Sequence, residues 1–296
     1  MRRTIPCSFP KIVWYLMASN LFQKKHQLWL KILFGAFSIK DETLFNILYD
    51  FSMIEYRHLV WLGDELVSEK QVFDYDKEDI DFQASDNFEL FTIMIEALKE
   101  IQSHYDDSTM FARFSSDEAY FIQKLNFLLE DEKNNMPITA FDKSRKMQGF
   151  DLNQTQTDAL TLFLFEESYK EYELILVYTY SNFYNDSKFL GSIFGDLIHE
   201  SHFHLKSFAR MMSKMGILAV PRTLMKRTYQ FEDLALFLVD GIKEEELAKV
   251  ECLKLAAEIN HNELSAFFTF INYQENYHIA LMEKALVYLK EKNESI

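Results

Sequence analysis

Four pairs of potential metal-binding side chains recur along this chain at one separation. His26 and Glu55, Glu89 and Glu118, Glu171 and Glu200, and Glu246 and Glu275 each lie 29 positions apart. Two members of the set open a Glu-x-x-His sequence, EYRH from Glu55 to His58 and ENYH from Glu275 to His278. On a helix, i and i+3 share one face, so each carboxylate can act together with its imidazole. Two hard cations held a few ångströms apart need carboxylates between and beside them and an imidazole on each. A helical bundle supplies that set with one Glu from each of two helices and a Glu-x-x-His from each of two others. The second half of the chain offers Glu171, Glu200, Glu246, Glu275 and His278; the first offers His26, Glu55, His58, Glu89 and Glu118. The chemistry these residues suit is a dinuclear centre of Fe or Mn, in one or both halves.

Such residues must be brought level by the elements that carry them. In an antiparallel helix hairpin two residues stand at one height when the turn lies midway between them, because both helices climb ~1.5 Å per residue. The midpoints of the four pairs fall near Asp41, His104, Asn185 and His261, inside or beside the polar breaks SIKDE, HYDDS, YNDS and INHN. A further break, FQASDN, lies near position 85, and helical periodicity runs between all of them. With 7 Gly and 4 Pro in 296 residues, turn-makers are too few for a many-stranded sheet. The expected class is therefore all-α, with a first helical domain over 11–130, a linker over 131–158 and a second helical domain over 159–292.

The two halves are also related to each other. KDETLFNILYDFSMIE, ending at Glu55, aligns with NDSKFLGSIFGDLIHE, ending at Glu200, at an offset of 145. FELFTIMIEALK from Phe88 and DEAYFIQKLN from Asp117 align with EELAKVECLKLA from Glu245 and QENYHIALME from Gln274 at an offset of 157. The pattern predicts a tandem duplication with a longer middle connection in the second copy.

Composition narrows the partners. A formal charge of −15 and the lack of a useful Lys/Arg run argue against nucleic acid and favour cations. Cys7 and Cys252, the only cysteines, can form neither a four-thiolate site nor a disulfide framework, which suits a reducing, cytoplasmic setting. Arg2 and Arg3 precede the apolar segment Ile12 to Met17, but Pro6, Pro10, Lys24 and Lys25 interrupt the signal-peptide pattern. No run of ~18 uncharged apolar residues predicts a membrane span.

With EYRHLVWLGDEL after a hairpin and ENYHIALMEKAL near the C-terminal end, the chain resembles the ferritin-like superfamily, in its rubrerythrin-like and manganese-catalase-like branches. The resemblance spans nearly the whole chain as two successive four-helix units. It implies two tandem ferritin-like bundles and a dinuclear carboxylate centre with redox chemistry on oxygen, peroxide or ferrous iron, of peroxidase, catalase or oxidase type. Two positions depart from the pattern: Phe203 in ESHF and Phe121 in EAYF stand where the motif asks for His. His202 and His204 flank Phe203, each turned ~100° from it, so either rescues the site only through a shifted or π-bulged helix.

Several alternatives stay open at this level. Glu171 competes with Glu167 and Glu173, and Glu89 with Glu96; Glu244, Glu245 and Glu246 form a run that also reads as a solvated helix start. Tyr105, Tyr120, Tyr178 and Tyr277 read as aromatic packing before redox relays. Without a CxxC pair a peroxidase cycle needs an external electron donor, whereas catalase-type disproportionation does not. A ferroxidase would use the same ligands, and a metal-free helical scaffold would keep the repeat for packing alone. The assembly expected is a monomer with pseudo-dimeric domains or a homodimer.

Overall fold

The computed structural model describes residues 11–75, 84–138, 147, 149–219, 221–230 and 233–294. Within them the chain is all-helical, with one isolated bridge pairing Asp86 and Pro137. It divides into two compact units, Met1–Thr139 with Val220–Thr223, and Ala140–Ala219 with Leu224–Ile296.

The first unit contains α1 (Lys11–Ser38), α2 (Glu42–Ser68), α3 (Asn87–Gln102) and α4 (Thr109–Leu129). The polar breaks work as helix starts because a side-chain oxygen there can take up an otherwise unpartnered first-turn N–H. Asp41 accepts from Leu44 N, Asp86 from Glu89 N and Ser108 from Phe111 N. α1 packs on α2 and α3, and α4 on α3 and α2. Phe22, Trp29, Phe45, Leu59, Phe91, Phe114 and Phe121 fill the interior. The apolar segment 12–17 lies within α1, while Arg2, Arg3, Pro6, Cys7 and Pro10 fall outside the described residues.

The second unit repeats the pairing with α5 (Gln154–Phe183), α6 (Lys188–Lys214), α8 (Leu234–Ile259) and α9 (Asn262–Glu294), with the single turn α7 (Lys226–Tyr229) between α6 and α8. Asn153 and Gln156 close a reciprocal capping box at the start of α5. Ser187 caps α6 and Asp233 caps α8. Asn260, left-handed at φ 45°, turns α8 into α9. α5 packs on α6 and α8, and α9 on α8 and α6. Tyr178, Phe194, Leu197, Leu238 and Met282 form a shared core patch.

Two sequence expectations are corrected here. The extra length of the second copy sits mainly in a helix, α8 having 26 residues against 16 in α3, and not in a longer loop. The stretch 131–158 is not a uniform linker. A 3-10 turn at Glu132–Asn134 and the bonds Asn87 N to Met136 O (2.9 Å) and Ile138 N to Ser85 O (3.3 Å) tie its first part to the start of α3. Its last part is already α5, and 139–146 with 148 lie outside the described residues. Among the described residues no helix is long and apolar enough to cross a membrane.

Candidate metal centre

In the second unit, four helices deliver six ligand-type side chains to one place. α5 brings Glu171, α6 brings Glu200 and His204, α8 brings Glu245, and α9 brings Glu275 and His278; all are buried except Glu200, which is half-buried. The ligand atoms form three overlapping triads, each within 4.8 Å: Glu171, His204 and Glu275; Glu245, Glu275 and His278; and Glu200, His204 and His278. Glu275 thus shares a triad with each imidazole, and Glu200 lies with both. His204 Nδ1 is 2.8 Å from Glu171 Oε1 and 3.9 Å from Glu275 Oε1. His278 Nδ1 is 3.0 Å from Glu275 Oε2 and 3.4 Å from Glu245 Oε1, and its Nε2 is 3.4 Å from Glu200 Oε2.

An outer residue orients this set. Gln274 Oε1 accepts from His204 Nε2 at 3.1 Å, and its amide N–H donates to Glu200 Oε2 at 3.1 Å. The ring of His204 is therefore held with Nδ1 facing the carboxylates, the arrangement that fixes ligating imidazoles.

The charge balance of the cluster is unusual for a buried site. Among the described residues no Lys or Arg pairs with Glu171, Glu200, Glu245 or Glu275; Lys170 turns instead to Glu167 at 2.7 Å. Without an outside cation the cluster neutralises itself with protons. Burial disfavours charge on His204, but Glu171 and then Glu275 outweigh it and raise the imidazole to about 9. Burial is likewise overcome at His278, where Glu200, Glu245 and Glu275 lift it to about 12. Burial and then Glu245 push the Glu275 carboxyl well above the usual range. Burial would raise Glu245 too, yet its hydrogen bonds to Glu275 and His278 hold it low.

The donor set fits a pair of divalent cations. Oxygen and imidazole nitrogen are the ligands that Fe and Mn take. Glu171 Oε2 is buried with no hydrogen-bond partner, and Glu275 Oε2 lies near His278 without a hydrogen bond's alignment. Buried carboxylate oxygens are costly to leave so.

The first unit gathers Glu55, His58 and Glu118, all buried and within 4.8 Å of one another. A lysine stands among them. Lys25 Nζ donates to Glu55 Oε2 at 2.6 Å and to Glu118 Oε1, and is 3.4 Å from His58 Nδ1. Tyr105 OH also donates to Glu118 Oε1, and Asp117 Oδ2, 3.1 Å from His58 Nε2, orients the imidazole. Burial raises Glu55, but Lys25 and His58 bring it below the ordinary carboxylate range; at Glu118 burial prevails and the carboxyl is raised.

Three sequence-predicted ligands lie elsewhere. Glu246 is exposed and pairs with Lys249 at 2.9 Å; Glu245, one position earlier, is the residue that faces inward. Glu89 is exposed at the start of α3, where it accepts from Ser85 N and Ser85 Oγ. His26 is buried against Trp29 and Tyr75, away from Glu55, and burial lowers it to about 3. His204, not position 203, supplies the α6 imidazole, and α6 does so as an unbroken α-helix without a π-bulge. His202 is buried outside the cluster and Phe203 is 40% exposed. Of the tyrosines, Tyr105 and Tyr178 lie near the clusters, whereas Tyr120 and Tyr277 are exposed.

Helical stripes mark the residues that pairwise spacing passed over. Leu238, Glu245, Cys252 and Ile259 recur every seven positions on the buried side of α8. Phe22, Lys25, Trp29 and Ile32 trace the inner stripe of α1. No protein-family model matches this chain, and neither does any curated protein or solved structure.

Proposed function

We propose that the two units are tandem ferritin-like four-helix domains and that the second holds a dinuclear Fe or Mn centre acting on peroxide or oxygen. The observation that carries this reading is the convergence of four carboxylates and two imidazoles from α5, α6, α8 and α9, with no Lys or Arg among the described residues to neutralise them. In it, Glu171, Glu200, His204, Glu245, Glu275 and His278 would hold the ions. When bound, such a centre supplies redox chemistry on small oxygen species.

The chain's own residues prepare the site. Gln274 fixes the ring of His204 and the amide-facing oxygen of Glu200. Protons now held by His204, His278 and Glu275 must leave as ions enter, so loading releases protons. In the metal-free cluster, burial and then the nearby carboxylates raise both the Tyr178 hydroxyl and the Cys252 thiol. Cys252 has no cysteine near it in sequence to form a dithiol, so a peroxidase cycle would draw electrons from an external donor. A ferroxidase is the alternative that uses the same ligands; ferric product without peroxide turnover distinguishes it.

Elemental analysis of protein purified without chelator or affinity metal tests the reading. About two Fe or Mn per chain are expected, and the double variant Glu275→Ala/His278→Ala should retain almost none. No metal in the native chain, even after anaerobic incubation with ferrous or manganous ion, would overturn it.

A further inference from the structure

The internal repeat makes the two clusters comparable residue by residue. At the offset of 145, Glu55 corresponds to Glu200, and at 157 Glu118 corresponds to Glu275. Asp117 and Gln274, also 157 apart, both hold the outer Nε2 of an imidazole, that of His58 in one unit and His204 in the other. His58 is thus the counterpart of His204, although the sequence offset pairs it with Phe203.

The remaining donors of the second unit have been replaced in the first. Glu245 and His278 correspond at 157 to Phe88 and Phe121, and Phe121 is fully buried, stacked on Phe51 at 3.9 Å. Where the repeat has Glu245 and His278, the first unit therefore carries two phenylalanines and no ligand atom. Beside Glu55, His58 and Glu118, the contribution of α1 is Lys25. Its ammonium is wholly buried, meets Glu55, Glu118 and His58, and lies 5.0 Å over the Phe114 ring and 5.6 Å from that of Tyr105. Two of its three donors meet carboxylate oxygens, and the third is 3.4 Å from His58 Nδ1, which accepts it in the tautomer whose Nε2–H donates to Asp117. Glu118 Oε2, buried and without a hydrogen-bond partner, remains as an unused ligand atom.

We infer that the Lys25 ammonium is the resident cation of the first unit, standing where a divalent ion would, so that metal binding is confined to the second unit and Glu55, His58 and Glu118 become a divalent-cation site only when Lys25 is removed. A metal ion would have to drive a charged side chain out of a sealed, carboxylate-lined position into apolar surroundings, and the cost of an unpaired buried charge opposes it. Once the stem is shortened, three protein ligands with room for water form a competent site for a first-row ion. The comparison rests on the proposed second-unit centre, whereas the competence of Glu55, His58 and Glu118 as a site is tested on first-unit residues alone.

The test is Co2+ titration followed by its d–d absorption, in full-length chain whose second cluster is disabled by His204→Ala/His278→Ala. That background should bind almost no Co2+; adding Lys25→Ala should bring about one equivalent, and adding Glu118→Gln should remove it. Co2+ binding in the background that Glu118→Gln abolishes would overturn the inference, because the ion would have displaced the lysine. A folded Lys25→Ala chain that takes no Co2+ would overturn it equally. Should the second-unit centre itself not exist, native chain and background both bind none while the Lys25→Ala step still adds about one. Lys25→Ala leaves two buried carboxylates without their cation, so its helicity should fall in chelator and return with Co2+. Should it stay unfolded, Lys25→Leu keeps the apolar stem packed and leaves the Nζ position open, and a folded Lys25→Leu chain without Co2+ binding refutes the site.

Discussion

At the scale of single residues, one position along a helix separates a buried member of the cluster from a surface charge. Glu245 and Glu246 are adjacent, yet one lies 3.4 Å from His278 Nδ1 and the other pairs with Lys249 in solvent. Glu245→Ala should therefore cut metal content by about half or more, by removing one of the four clustered carboxylates, whereas Glu246→Ala should leave it unchanged. Elemental analysis of the two variants decides, and equal effects would refute the placement. Gln274 is a positioning residue in the same sense. Gln274→Ala should weaken Co2+ binding roughly 10- to 100-fold while preserving helicity, as loss of an imidazole's outer hydrogen bond does elsewhere. The sequence made Glu55, His58, Glu118, Glu171, Glu200, Glu275 and His278 legible because their motifs and spacing coincide with helix-facing positions. It misassigned Glu246 and His26 because equal spacing fixes height along a hairpin but not rotation about the helix. The buried stripe of α8 carries the rotational information, since it places Glu245 between Leu238 and Cys252. Lys25 was passed over for a different reason: a lysine is expected at the surface, and only its packing partners reveal otherwise.

At the scale of elements, α6 concentrates the departures from the repeat. α2 presents Glu55 and His58 three apart, while α6 presents Glu200 and His204 four apart, and both spacings keep carboxylate and imidazole on one face. Exchanging Phe203 and His204 by Phe203→His/His204→Phe would restore Glu-x-x-His in sequence and yet should lose Co2+ binding, because position 203 is exposed. The same helix carries two histidines with opposed shifts. Burial, then His199, lowers His202 to about 3, while His204, facing Glu171, Glu275 and His278, is raised to about 9. A histidine held neutral contributes stability above 6.5, which is lost as pH falls through that value and the unfolded chain takes up a proton. One held charged contributes below 6.5, and its contribution is lost as pH rises toward 9; His278 extends the same loss toward about 12. Thermal unfolding of chelated protein should accordingly give a second-unit midpoint that falls as pH rises from 6.5 toward 9. Manganous ion should remove the alkaline decline, since it binds the deprotonated imidazoles. A midpoint that climbs from pH 6.5 to 9 in chelator would refute the charged state of His204. Helix starts were legible at this scale through Asp41, Asp86, Ser108 and Ser187, whose side chains cap the helices, whereas the cap Asn153 fell inside the expected linker. The three added turns of α8 were not, because its first residues, LALFLVDG, carry no feature that separates a helix extension from an apolar loop.

At the scale of the molecule, the two units solve one electrostatic problem in different ways. Each buries carboxylates against imidazole, but the first brings its cation covalently attached, on Lys25, whereas in the second no described Lys or Arg meets the carboxylates, which protons or, in the proposed centre, metal ions from solution would neutralise. A ligand that binds only the folded form stabilises it by mass action. Metal should therefore protect the second unit and leave the first indifferent. Hydrogen exchange followed by peptide mass analysis reads this directly, with chelated and manganese-loaded chains compared. Slowing by about tenfold or more is expected in peptides of α5, α6, α8 and α9 that span Glu171, Glu200, Glu245 and Glu275, against no change in those of α2 and α4 that span Glu55 and Glu118. In Lys25→Ala the α2 and α4 peptides should become metal-responsive as well, because their carboxylates then depend on an ion from solution. Uniform protection of both units in the native chain would show that the first also binds metal, and with that the asymmetry between an internal and an external cation would fall.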